Sequence, residues 1–156
     1  MCVYFVMEFD TLQKHANNML SALQPLGVSL IYNDIKGNVD KLSRHAGKHI
    51  TTDIEDWINQ YKHDGVGGEN PFTWMCWLKW ASELICMASD LVCKGVDAKE
   101  ALNIAYSKTL IHRHNRVAQT MAKATFAMMK FDKDIEWKML HSSSSQVCLL
   151  MGAYIQ

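Results

Sequence analysis

In the stretch NDIKGNVDKL, residues 33–42, Asp34, Asn38 and Lys41 follow one another at four- and three-residue steps, with Ile35, Val39 and Leu42 as apolar neighbours. That spacing lays a carboxylate, an amide and an ammonium along one face of a helix, and the chemistry such a row offers is hydrogen bonding. A solvated face with an Asp-to-Lys charge relation would give the same pattern. Two residues weigh against so plain a reading. Gly37 and Asn38 stand in mid-helix, where both are poor helix formers and Gly costs about 1 kcal/mol relative to Ala. Such residues are tolerated where something must approach the backbone or be hydrogen-bonded.

Other candidates carry less. DGVGGENP, residues 64–71, resembles a phosphate loop only in its glycines: no Lys-Ser or Lys-Thr closes it and no strand precedes it, so it reads as a connector. His45 and His49 stand four apart and His112 and His114 bracket Arg113, but neither an HExxH frame nor a cysteine at ligand spacing accompanies them, and no metal site is expected. No local signature marks a cysteine nucleophile, so no catalytic residue is assigned. Trp74, Trp77 and Trp80 recur at three-residue steps; core packing accounts for Trp74 and Trp80.

The elements that must position these groups are helical. Phe9, Leu12, Ala16, Met19, Leu20 and Leu23 form a stripe over 9–24 that Pro25 and Gly27 end, and a second helix is expected over 29–46. Thr52 and Glu55 have capping-box spacing, residues 63–71 read as a loop, and a long, mostly buried helix should run from 73 to about 94 with Lys79, Glu83 and Asp90 off its apolar face. Asp97 and Glu100 signal another start, with helix to about 129 broken near Ile111. Residues 132–140 give a short turn or helix, and neither the serine run 142–145 nor the C-terminal residues after it show a helical stripe. The chain is expected to be all-α, in one domain over 1–156.

Composition bounds the partners. Sixteen basic and 16 acidic residues cancel, so nothing global attracts nucleic acid or an anionic bilayer. The five cysteines form no CxxC pair and are odd in number, which fits reduced thiols in the cytoplasm, and the first residues lack the basic stretch of a signal peptide. Ten Met and five Trp within 49% hydrophobic content suit an adaptable apolar interior.

Taken together, DIKGNVDKL at 34–42, WMCWLKWASEL at 74–84 and AYSKTLIHRHNRVAQ at 105–119 resemble the glycolipid transfer protein family, whose Asp-x-x-x-Asn-x-x-Lys helix, Trp-Leu-Lys helix and later His occur here in order. The resemblance implies an all-helical two-layer sandwich with a hydrophobic lipid chamber, and a carrier of glycosphingolipid between membranes that is no enzyme and needs no cofactor. It also implies roles. Asp34 would accept from the lipid amide and a sugar hydroxyl, Asn38 and Lys41 would bond the sugar, Trp77 would stack on it, and His114 would donate to the ceramide carbonyl. The ceramide-1-phosphate branch has Arg at the positions of Trp77 and Ala81, so a sugar headgroup is favoured, with Arg113 and Arg116 the residues by which a phosphate could still be bound.

The chain departs from the family at Arg116, where a membrane-docking Trp is common, and at Arg113, where an aromatic is. Peripheral docking is therefore expected to use Trp74, Trp80 or Phe131. The family's C-terminal helix is expected to be missing, leaving an open chamber, a homodimer that seals it, or a lipid sensor or scaffold without transfer.

Overall fold

The computed structural model describes residues 8–26, 29–48, 52–131, 135–152 and 155. Within them run α1 (Phe9–Leu23), α2 (Ser29–Ala46), α3 (Ile54–Tyr61), α4 (Pro71–Cys93), α5 (Ala98–Lys108), α6 (Arg116–Met128) and α7 (Trp137–Gly152), and no strand. Short 3-10 turns at Gln24–Leu26, Lys62–Asp64 and Ile111–Arg113 join several of them. Helix α4 packs on α2, α3, α5 and α7, and α1 packs on α2 and α7, in the two-layer helical sandwich expected. No described helix is long and apolar enough to cross a membrane. Cys76, Cys86, Cys93 and Cys148 are free thiols, while Cys2 and His49 lie outside the described residues.

Most helix starts obey local chemistry. Asn70 accepts from the backbone N–H of Thr73 at 2.9 Å with Pro71 in the first turn, so α4 begins two residues before the expected start. Asp97 caps α5 by accepting from Lys99 and Glu100. At α3 the expected cap is displaced: Asp53 accepts from Glu55, while Thr52 ties down the start of α1 through its carbonyl on Phe9 N–H, 2.9 Å, and its hydroxyl on Glu8, 2.6 Å. Lys79 is a further correction. Expected off the apolar face, it is buried and ion-paired to Glu83 at 2.6 Å.

The main difference is α7. The serine run lies inside a 16-residue helix, and Leu140, Ser144, Val147 and Met151, at steps of four, three and four, are all fully buried. Ser144 occupies one position of the buried stripe, so a reading that counts only large apolar residues sees a gap. Its hydroxyl and that of Ser143 donate to Leu140 and Met139 carbonyls one turn back, which leaves neither hydroxyl unsatisfied against α4 and α1. Helix α7 thus packs on α4 and α1 at this end.

Because a serine-sized residue is what fits there, Ser144→Leu should overpack the site. We expect a loss of roughly 1–3 kcal/mol in urea unfolding, with an unchanged m-value. An unchanged midpoint would mean that α7 does not pack as described.

Candidate functional site

Helix α2 enters the site at its N-terminal half, α4 at its second turn, and the chain between α5 and α6 closes it. Together they form a groove of about 240 Å³ lined by Asp34, Trp77 and His114 at its polar part and by Leu30, Ile31, Ala81, Leu84, Leu110 and Phe126 among its apolar walls. Deeper in, Leu23, Leu26, Tyr32, Ile85, Leu140 and their neighbours leave only about 10 Å³ between the layers. Ile31 lines both spaces. The apolar volume is thus divided into an open groove and a nearly filled interior.

His114 is the most heavily supported side chain. Gln119 donates to the carbonyls of Ile111 at 2.9 Å and His114 at 3.0 Å, fixing the 3-10 turn to α6, and Asn115 caps α6 by accepting from Ala118. Trp77 stacks on the imidazole with ring centres 5.8 Å apart and planes 22° off parallel. The Tyr106 hydroxyl lies 2.9 Å from His114 Nδ1. Burial pushes the His114 pKa below the ordinary histidine value, against an opposing pull from Asp34, and burial raises that of Tyr106. A neutral ring beside a phenol that keeps its proton is satisfied when the phenol donates to Nδ1, which leaves the imidazole N–H on Nε2 to serve an acceptor.

Asp34 stands at the rim, its side chain still reaching solvent. Removal of water by its neighbours raises its pKa, and the attraction of His114 and Lys41 only partly offsets this. One turn on, Asn38 is buried and its Nδ2 donates to the Asp34 carbonyl at 3.0 Å. Nothing lies within 4 Å of where a Cβ on Gly37 would stand, so no packing contact in the protein requires that glycine.

Lys41 belongs to this row but does not line the groove. Its Nζ lies 3.0 Å from Glu69 Oε2 and 5.8 Å from the centre of the Trp74 ring, and the same carboxylate accepts from Trp74 Nε1 at 3.2 Å. These hydrogen bonds, that from Lys41 first, pull the Glu69 pKa down. Glu69, Tyr106 and the apolar lining of α6 are not legible as site residues in the sequence: Tyr106 is eight positions before His114, across a break in the helix, and Glu69 sits in a loop.

Trp80 is 5% exposed, with the Arg113 guanidinium 3.6 Å from its ring centre, so it has no surface to dock with, contrary to one of the expectations for peripheral docking. Among the apolar residues that do project are Leu30, 47% exposed, Met121, 52%, and Val117, 69%, the first two on the groove itself. His45, a candidate metal ligand by spacing, packs edge-on among Trp57, Tyr61 and Trp74.

Comparison with known proteins identifies the family and the fold. The family model described as glycolipid transfer protein (GLTP) matches residues 6–139. The chain belongs to the glycolipid transfer protein family. Among solved structures, HET-C2, a fungal glycolipid transfer protein, superposes with a TM-score of 0.70 at 16% identity, over 92% of this chain and 80% of that one. FAPP2, whose structure concerns how it selects simple glycosphingolipids using the GLTP fold, gives 0.59 at 19% identity, over 87% and 74%. At these identities the likeness is one of fold. No curated protein sequence matches the chain.

The GLTP-fold site has a testable electrostatic core. His114 should titrate below the ordinary histidine value of about 6.5, as read from its ring resonances by NMR. Since Asp34 is what opposes the effect of burial, Asp34→Asn should move the midpoint lower still; an unchanged midpoint would show that the carboxylate does not act on the ring. The unfolded ring takes up a proton more readily than the folded one, so His114 removes stability as pH falls through the ordinary histidine range and towards its own lower pKa.

Proposed function

We propose that this chain is a non-enzymatic carrier that takes up one glycosphingolipid from a membrane and releases it at another, in the cytoplasm, with no bond made or broken. The single observation that carries this is the groove itself, apolar along its walls with Asp34, Trp77 and His114 gathered at one part of it. The sugar would stack on Trp77 and bond Asp34, Asn38 and Lys41. The His114 N–H would reach the ceramide carbonyl, and the chains would lie along α4, α5 and α6. Apolar contact supplies affinity at roughly 0.8 kcal/mol per buried CH₂. The polar row supplies selectivity, because a wrong headgroup leaves buried groups unpaired at about 1–3 kcal/mol each.

A ceramide-1-phosphate ligand fits less well. Trp77 and Ala81 line the groove where that branch carries arginines, and the Arg113 guanidinium is stacked on Trp80. Fluorescent galactosylceramide and ceramide-1-phosphate, offered side by side in a vesicle-to-vesicle transfer assay, test this. Galactosylceramide should move and ceramide-1-phosphate should not, and Asp34→Val and Trp77→Ala should each slow movement by about tenfold or more, in line with the cost of a lost buried partner. Transfer of the phosphate lipid alone would overturn the headgroup assignment. Binding without transfer would mark a sensor or scaffold.

Docking on the membrane would be transient and apolar, through Leu30, Val117 and Met121 beside the groove. The variant Val117→Asp should lower the transfer rate severalfold and leave detergent-solubilised lipid binding nearly unchanged. Equal loss of both would mean that this residue holds the groove and not the membrane.

A further inference from the structure

We propose that Glu69 sets the charge selectivity of the headgroup site by holding Lys41 in an ion pair, so that the site rejects anionic headgroups such as a sulfated sugar; this rests on the glycolipid reading of the groove.

Of the expected headgroup residues Asp34, Asn38, Lys41 and Trp77, Lys41 carries the positive charge that an anionic headgroup would seek. It is already occupied. Glu69 Oε2 takes the ammonium at 3.0 Å and Oε1 lies 3.3 Å away, so both carboxylate oxygens face it. Trp74 Nε1 holds the same carboxylate at 3.2 Å, and the Trp74 ring lies under the ammonium at 5.8 Å. Glu69 is thereby fixed from two sides although it sits in the loop before α4. Its side chain is 77% exposed and packs in no core, so its contacts are with these two polar groups and not with the structure as a whole.

The consequence differs for the two kinds of headgroup. A sugar hydroxyl is neutral and both donates and accepts, so it can bond the ammonium or the carboxylate while the pair stays together. A sulfate offers acceptors only. It can reach Lys41 only by sharing the ammonium with Glu69, a carboxylate of its own sign, or by displacing it, and either costs it affinity. Asp34, on the same helix face, adds a second negative charge nearby. Glu69 acts through Lys41 and is therefore a positioning residue.

The test is the ratio of bound galactosylceramide 3-sulfate to bound galactosylceramide, both offered to the full chain from neutral phosphatidylcholine vesicles. Glu69→Gln should raise this ratio about three- to fivefold at low salt, the scale of an exposed ion pair, and the gain should shrink as ionic strength is raised. Trp74→Phe, which keeps the ring but removes the N–H that holds Glu69, should raise the ratio by less, and Glu69→Asp should leave it near the wild-type value. Equal loss of both lipids in Glu69→Gln, or a ratio that does not move, would overturn the inference while wild-type binding of galactosylceramide leaves the carrier reading standing. Failure of the wild-type chain to bind galactosylceramide would overturn both.

Discussion

Helix α4 is apolar around nearly its whole circumference, and a helix of that kind has to be surrounded. Residues on every side of it are buried, from Met75 and Leu78 to Ala81, Leu84, Ile85 and Ala88. The other elements are arranged to cover it: α2, α3, α5 and α7 each take one side. Of its buried polar groups, Ser82 and Ser89 donate to the carbonyls of Leu78 and Ile85 and Lys79 pairs with Glu83, while Trp80 Nε1 is buried without a hydrogen-bond partner among the described residues. The groove lies where the cover is incomplete, between α2 and the α5–α6 connection.

At that gap, three separate elements meet through side-chain rings. Trp77 from α4 stacks on His114, and Tyr106 from α5 bonds Nδ1 of the same imidazole. Trp80 stands edge-on to Trp77 at 5.2 Å and is itself covered by Arg113. Each ring is held by a neighbour that is held in turn, so the orientation of the imidazole does not depend on its own backbone, which leaves the 3-10 turn in an extended conformation. Preorganised donors cost little to use, since the ordering has been done in folding.

Helix content and most boundaries are legible in the sequence because the periodic stripes of α1 and α2 and the cap at Asp97 are local signals. The row of Asp34, Asn38 and Lys41 is legible for the same reason. What stays hidden depends on contacts between distant segments. The buried stripe of α7 escapes a sequence reading because Ser144 fills a position that a large residue usually takes, and its fit is apparent only against α4 and α1. Thr52 has the spacing of a cap for α3, yet its partners are Glu8 and Phe9, some forty residues away. Lys41 has the spacing of a free donor, since nothing in helix α2 announces a carboxylate in the loop before α4. Spacing gives the face a residue occupies, not what is waiting there.

On the carrier reading proposed above, the close packing behind Ile31 bears on how a lipid is released. A permanently open tunnel would leave apolar walls without contacts or wet them, and either state raises the free energy of the empty protein. Here the side chains that line that space pack on one another, with only about 10 Å³ left over. A hydrocarbon chain entering that space would have to replace contacts that the helices make with one another. The protein and its cargo would therefore compete for the same surfaces, and closure of the emptied interior would return part of the energy needed to deliver the lipid. Affinity kept modest in this way would let an acceptor membrane win the lipid back, which a perfectly fitted, rigid cavity would resist.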